Sequence, residues 1–254
     1  LTTDCLVILT GASRGLGQAM AAQYLADGAF VLGLSRRQSV DLKASGAGRL
    51  EQWPVDLSHP LPVAERLAAF LAKLQHDGAG ALPRRVRVIH NAALLSDPGN
   101  VGEGDPAELA QSLRIGLEAP VALTAAFLRA TAHWAASDRR VLFVSSGLGR
   151  RAMAGSAAYC AQKAGLDHFA RALALEEQAR QHGARVASVA PGIIDTDMQK
   201  QLRGADPKRF AEQGTFAGFH TSGALDSPAT AAAKVIALLE RDDYGADPVT
   251  DVRG

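Results

Sequence analysis

Short strand-length segments alternate along this chain with longer stretches rich in Ala and Leu, and that alternation limits the fold more than any other feature. The segments Cys5–Leu9, Phe30–Leu34, Leu50–Val55, Val86–His90, Val141–Ser145 and Arg185–Val189 read as strands, with a last short one near Val249–Val252. Between them, Leu16–Asp27, Leu61–His76, Pro106–Ala135, Ala157–His182 and Pro228–Arg241 carry helix-like apolar spacing. Mostly apolar strands separated by helices imply a parallel sheet covered on both faces. The expectation is an α/β, doubly wound domain with a seven-stranded parallel sheet. Asp105-Pro106 and Ser227-Pro228 read as N-cap and first-turn pairs. Gly78–Ala81 and Ser96–Gly104 read as surface loops. There is no internal repeat and no linker, and 254 residues suffice for one three-layer core, so a single domain over 1–254 is expected. Thr196–Ser222 is a long irregular stretch with several glycines and Phe210, Phe216 and Phe219, expected to act as a lid or substrate loop.

The first strand-to-helix junction reads Thr10-Gly-Ala-Ser-Arg-Gly-Leu-Gly17, with glycines at 11, 15 and 17. Glycines there permit a tight turn and close approach of backbone to a pyrophosphate, which the helix N-terminus also favours. The spacing is a variant of the Rossmann dinucleotide turn, with Ser13, Arg14 and Leu16 completing the loop. The second strand ends Leu34-Ser-Arg-Arg37, without the acidic residue that would bind a ribose 2′-hydroxyl. Ser35, Arg36 and Arg14 offer a hydroxyl and two guanidinium groups, which suit a 2′-phosphate. NADP(H) is therefore the expected cofactor.

Tyr159 precedes Lys163 by one helical turn, so phenol and ammonium share a face. The ammonium favours phenolate and is expected to draw the tyrosine toward neutrality, where it can exchange a proton with a carbonyl or alcohol oxygen. Ser146 ends the preceding apolar run Val141–Val144.

With these residues in hand, the chain resembles the short-chain dehydrogenase/reductase family over nearly its whole length. The likeness runs through Thr10–Gly17, Asp56-Leu57, Asn91-Ala92-Ala93, Ser146, Tyr159 and Lys163, and Pro191-Gly192 followed by Thr196. It implies that Ser146, Tyr159 and Lys163 are catalytic and that Lys163 also holds ribose hydroxyls. It further implies that Asp56 and Leu57 meet the adenine, that Asn91 and Ala92 line the cofactor, and that Pro191, Gly192, Ile194 and Thr196 hold the nicotinamide. Within the family, Tyr159–Lys163, Ala172–Glu177, Ala190–Gln199 and Leu238–Tyr244 resemble sepiapterin reductase and bacterial benzil-type diketone reductases. That likeness implies an NADPH-dependent carbonyl reductase, a homodimer or homotetramer, and Asp251 near the place of a pterin-anchoring Asp. Leu148 and Met198 are candidate substrate contacts. Leu94, Leu95, Met153, Ile194, Phe216 and Phe219 can line the same apolar pocket or be plain core.

Two departures stand out. Asn-Ala-Ala replaces Asn-Ala-Gly, with Ala93 expected only to tighten packing. Gly116 stands in the fourth helix where the family has an Asn supporting a water next to the lysine, and this leaves that relay open. A hydroxysteroid, sugar or 3-oxoacyl substrate is an alternative, and so is a catalytically weak NADP-binding sensor.

The remaining composition narrows the function by exclusion. A net charge of +1 gives no electrostatic case for nucleic acid or an anionic membrane. The apolar run Cys5–Leu9 is too short for a signal peptide or a membrane span. The chain opens on Leu1, so a few preceding residues are expected. Cys5 and Cys160 read as free thiols in a reducing, cytoplasmic compartment. His90 reads as packed rather than catalytic. None of the seven histidines has metal-ligand spacing, so no metal is expected. Asp195 and Asp197, flanking Thr196, are expected to cap a helix rather than act as catalytic carboxylates.

Overall fold

The computed structural model describes residues 4–76 and 82–253, so the Gly78–Ala81 segment lies outside the described residues. Strands β1 (Cys5–Thr10), β2 (Phe30–Ser35), β3 (Arg49–Pro54), β4 (Arg85–His90), β5 (Asp138–Val144), β6 (Arg185–Ala190) and β7 (Val249–Asp251) form one sheet in the order β3-β2-β1-β4-β5-β6-β7. Every pairing is parallel, with Leu6 opposite Phe30 on one side and Val86 on the other. The strand order reverses between β1 and β4. In open parallel sheets, ligands bind at such a switch point, beyond the C-terminal strand ends.

Alternation along β1 explains its unbroken apolar run. Leu6 and Ile8 enter a core cluster with Phe30, Leu32, Val88 and Phe143. Val7 and Leu9 enter the opposite one with Met20, Tyr24, Val31 and Leu142. Successive side chains of a strand point to opposite faces, so a strand covered twice has no polar side. Helices α2 (Pro60–His76), α4 (Ala119–Ala130) and α5 (Ala157–Gln178) supply the first face, and α1 (Gly15–Ala26) and α8 (Pro228–Leu239) the second.

The long helix expected over Pro106–Ala135 is present as an unbroken helical run from Pro106 to Ala130, with a π-helical turn inside it. Helix α3 (Pro106–Leu113) leads through a π-helical turn, Arg114–Glu118, into α4. The expected caps are present, since Asp105 accepts from the Ala107 amide and Ser227 from the Thr230 amide. Thr196–Ser222, read as irregular, contains α6 (Asp197–Arg203) and α7 (Gln213–Thr221). The glycines between and within them hide the helical pattern. Asp195 and Asp197 do not cap α6. Thr196 is its N-cap without a side-chain bond, Asp195 pairs with Arg203 at 3.0 Å, and Asp197 pairs with Arg14 at 2.8 Å and Lys200 at 3.3 Å.

Three arginines are buried in the sheet itself among the described residues, Arg87 in β4 and Arg139 and Arg140 in β5. Arg87 in β4 is 0% exposed. Its Nε and Nη2 donate to the two carboxylate oxygens of Glu240 at 2.9 and 2.7 Å, and Nη2 also donates to Asp138 at 3.0 Å. Tyr24 donates its hydroxyl to Glu240 at 3.0 Å.

Candidate active site

The glycine loop packs against the end of β4. Gly11 has φ of +71°, and a Cβ there would lie 2.8 Å from Asn91 Nδ2. Asn91 Nδ2 donates to the Thr10 and Gly11 carbonyls at 3.1 and 3.2 Å, while the Asn91 and Ala92 amides both donate to Thr10 Oγ1 at 3.0 Å. Asn91 therefore locks the loop onto the sheet. A Cβ on Gly17 would overlap the Gly11 carbonyl, so the backbone is bare on both sides of the turn. Helix α1 starts without a side-chain cap from Arg14 and without an acidic residue in its first turn. Its amide ends suit an anion.

At the tip of β2, Ser35 Oγ is buried with no hydrogen-bond partner among the described residues, and Arg36 beside it is exposed. An orphaned hydroxyl next to a free guanidinium fits the phosphate of a dinucleotide. Ser13 is half-buried within the loop and Leu16 is buried beneath it. Arg14 is held by Asp197, but that pair is exposed, and such pairs contribute about 0–1 kcal/mol. A phosphate can therefore exchange for it. Asp56 is exposed, its carboxyl held below the usual range first by the Ser58 amide hydrogen bond, and Leu57 is buried beside it. Pro191 is buried, and Gly192, Ile194 and Thr196 are partly buried. The Thr196 methyl lies 3.5 Å from a Cβ built on Gly15, so this stretch meets the glycine loop.

Ser146, Tyr159 and Lys163 come together beyond the end of β5. Ser146 caps the short Gly147–Gly149 turn, its Oγ accepting from the Leu148 amide at 3.2 Å. Tyr159 lies in the first turn of α5, and Lys163 one turn on donates Nζ to the Val144 carbonyl at 2.7 Å. That ammonium is 5.5 Å from the Tyr159 ring centroid.

The expected fall of the tyrosine toward neutrality is not found in the chain alone. Burial pushes the Tyr159 phenol up to about 12, with a hydrogen bond from Ser146 acting the other way. Burial also brings Lys163 down to about 8, opposed by the charge of Asp167. Both groups sit in a low-dielectric site that penalises charge, and that influence outweighs the pairing.

A small apolar cluster covers this pair. Leu95, Met153, Tyr159, Leu202 and Phe210 are buried together, with Leu148, Met198 and Phe216 packed against them. Helices α6 and α7 thus bring Met198, Leu202 and Phe216 over the tyrosine. Phe219 packs edge-on against Phe216. Leu94 and Ile194 belong to the margins of the two sheet cores instead. Next to the cluster, a cavity of about 540 Å³ is lined by Leu94, Leu95, Gln111, Gln201 and Arg209 together with the carboxylates Asp97, Glu103, Asp105 and Glu108.

Asp251 ends β7, and its carboxylate is taken by Arg253, through the side chain at 2.9 Å and the backbone amide at 2.8 Å. A ligand would have to displace that arginine. His90 is packed, as expected. Its Nε2 meets Thr124 Oγ1 at 2.8 Å, its ring stacks on Phe143, and burial pushes it down to about 3.

Two buried polar residues of α5 escaped the sequence reading. Asp167, one turn beyond Lys163, accepts from Ser145 at 2.6 Å and Ser188 at 2.7 Å. Gln162, beside Lys163, is 0% exposed and bonds Leu94 and Ser112. The i+4 spacing of Asp167 from Lys163 was available as a signal, whereas nothing local marks Gln162.

Comparison with known proteins agrees with this geometry. The short chain dehydrogenase family model matches residues 5–207. The chain is 29% identical to benzil reductase ((S)-benzoin forming) from Bacillus cereus, over 94% of this chain and 95% of that protein. It is 31% identical to sepiapterin reductase from Meriones unguiculatus, over 93% and 92% of the respective chains. Among solved structures, a short-chain dehydrogenase/reductase from Burkholderia vietnamiensis superposes with a TM-score of 0.64 at 34% identity, covering 99% of both chains. A glycine loop at the switch point and a Ser, Tyr and Lys beyond the end of β5, on a fold and sequence shared with these enzymes, place this chain in the short-chain dehydrogenase/reductase family, as an oxidoreductase acting on CH–OH and C=O groups.

Proposed function

We propose that this protein is an NADPH-dependent carbonyl reductase acting on a ketone or diketone of the benzil or sepiapterin kind, and that residues 1–254 work as one domain. The observation that carries the reading is the convergence of Ser146, Tyr159 and Lys163, with the tyrosine packed in an apolar cluster. The bound nicotinamide supplies the hydride. The chain's own residues bind, orient and move a proton.

The Gly11–Gly17 backbone and the start of α1 hold the diphosphate. Ser35, Arg36 and Arg14 take the 2′-phosphate, and Asp56 and Leu57 flank the adenine. Asn91 and Ala92 line the cofactor, while Pro191, Gly192, Ile194 and Thr196 border the nicotinamide. Lys163 holds the ribose hydroxyls. Ser146 orients the carbonyl oxygen, and Tyr159 gives it the proton. A phenol pushed up by burial keeps its proton at neutral pH and so has one to give to the carbonyl oxygen. Met198, Leu148 and the residue 196–222 lid give an apolar contact surface and exclude water.

The benzil and sepiapterin reductase relatives support the substrate class. Exposed Leu175 on α5 supports self-association, and closed homo-oligomers are the common outcome. A homodimer or homotetramer gives light scattering well above 26.5 kDa. The free thiols Cys5 and Cys160 suit a cytoplasmic setting. NADPH oxidation followed with benzil, sepiapterin and simple aldehydes tests the function. Turnover of a dicarbonyl is expected, and none with any carbonyl offered would sink the reading.

A further inference from the structure

Gly116 sits buried in the π-helical turn between α3 and α4, and its φ is not among the positive ones, so its conformation does not demand glycine. Space does. A Cβ built on Gly116 would overlap Oε1 and Cδ of Gln162 and lie 3.3 Å from its Cγ. Gln162 reaches into that gap from α5, between Tyr159 and Lys163, and is fully buried.

Its amide nitrogen is committed. Nε2 donates to the Leu94 carbonyl at 3.1 Å and to Ser112 Oγ at 2.8 Å, and Ser112 Oγ donates to the same Leu94 carbonyl at 2.7 Å. Two donors therefore converge on one peptide oxygen in the segment that leaves β4. The next residue, Leu95, packs in the cluster that contains Tyr159. The other end of the amide, Oε1, is buried without a partner among the described residues. Buried polar atoms without partners are unfavourable, so a glutamine kept in this place for packing alone would be a poor choice.

We propose that Gln162 is a positioning residue, which pins Leu94 and so holds the Leu95 wall of the substrate pocket against Tyr159, and that Gly116 is the matching vacancy that admits it. This rests on the carbonyl reductase reading of the site. Gln162 touches no reacting atom in this account. It acts through the wall, so it governs how well a carbonyl is held more than how fast it reacts.

The pairing is tested by a cycle of Gly116→Ala, Gln162→Ala and the double variant, with Gln162→Met as the shape-preserving control. Thermal unfolding, NADPH binding by fluorescence, and kinetics with benzil are measured on each. Gly116→Ala expels the glutamine, so it lowers Tm and raises KM several-fold. In the Gln162→Ala background the same methyl enters empty space, and Tm falls no further. Gln162→Met fills the volume and leaves no polar atom unpaired. It is expected to keep Tm and NADPH affinity near wild type while KM rises several-fold and kcat changes less. Strictly additive Tm losses, a silent Gly116→Ala, or a Gln162→Met enzyme with unchanged KM would each overturn the proposal. A wild-type protein that reduces no carbonyl overturns the underlying reading as well, and is told apart because the failure precedes any substitution.

Discussion

Glu240→Ala is expected to be strongly destabilising although the residue lies just past the end of α8, away from the active site. The side chain of Arg87 is 1% exposed and donates two of its hydrogen bonds to Glu240, at 2.9 and 2.7 Å. Without Glu240 the arginine keeps Asp138 at 3.0 Å and the Val86 and Asp138 carbonyls, but two acceptor oxygens and much of the countercharge are lost. Removing one partner of a buried pair costs about 3–5 kcal/mol. Asp138 remains and Glu240 is partly solvated, so the lower end applies, about 3 kcal/mol. For a chain of this size that is a fall in Tm of about 6–12 °C.

The acid dependence follows from the sign of the shift. Burial pushes the Glu240 carboxyl up, but the hydrogen bond and charge of Arg87, helped by Tyr24 and Arg140, hold it below its usual value. Its contribution is therefore complete above the unfolded glutamate range and is lost as pH falls through the folded value. Denaturation of wild type and Glu240→Ala across that range should converge toward acid. Arg87→Met/Glu240→Leu, which removes both charges, should recover most of the loss. A Glu240→Ala loss below about 1 kcal/mol at neutral pH would refute this account of the buried arginine.

Other outcomes bear on the site. Tyr159→Phe keeps the ring and removes the transferable proton, so turnover should fall by about two to four orders of magnitude with NADPH binding little changed; near-normal turnover sinks the assigned role. Arg36→Asp puts a carboxylate beside the orphaned Ser35 hydroxyl and should weaken NADPH far more than NADH; a wild type that already prefers NADH defeats the assignment. Lys163 sits near 8 because burial lowers it, while Asp167 raises it and the Val144 carbonyl accepts its hydrogen bond. Removing the opposing charge with Asp167→Asn should let the lysine lose its proton at lower pH. The alkaline limb of kcat/KM should then move acidward, whereas a uniform loss at every pH would mean that Asp167 serves only Ser145, Ser188 and the nearby Arg150.

Much of this architecture was legible because its signals are local. Strand-helix alternation gave all seven strands within a few residues, and the Asp105 and Ser227 caps are single-residue decisions of the chain. The elements misread are those whose cause is distant. Helices α6 and α7 are short and glycine-flanked, and close on Tyr159 through Met198, Leu202 and Phe216, with Phe210 between them. Arg87 reads as an ordinary polar residue in a strand that also carries Arg85 and His90. Its partner Glu240 is 153 positions away. Arg14 carries the sign that suits a phosphate, but the chain offers it Asp197, which no spacing rule pairs with a glycine loop.

The glycines separate these two kinds of information within one residue type. Gly11 and Gly15 have φ of +71° and +57°, a requirement of the turn that the motif itself announces. Gly17 and Gly116 are glycine for want of room, against the Gly11 carbonyl in one case and the Gln162 amide in the other. The first obstruction is within the same loop and the motif includes it. The second belongs to another helix, so Gly116 reads from sequence only as a weak point in a helix, unfavourable by about 1 kcal/mol against Ala. Its place in a π-helical turn next to a filled cavity reverses that reading. Adding a methyl there should cost stability instead of contributing helix propensity, and the sign of the Gly116→Ala change in Tm distinguishes a propensity defect from a packing requirement.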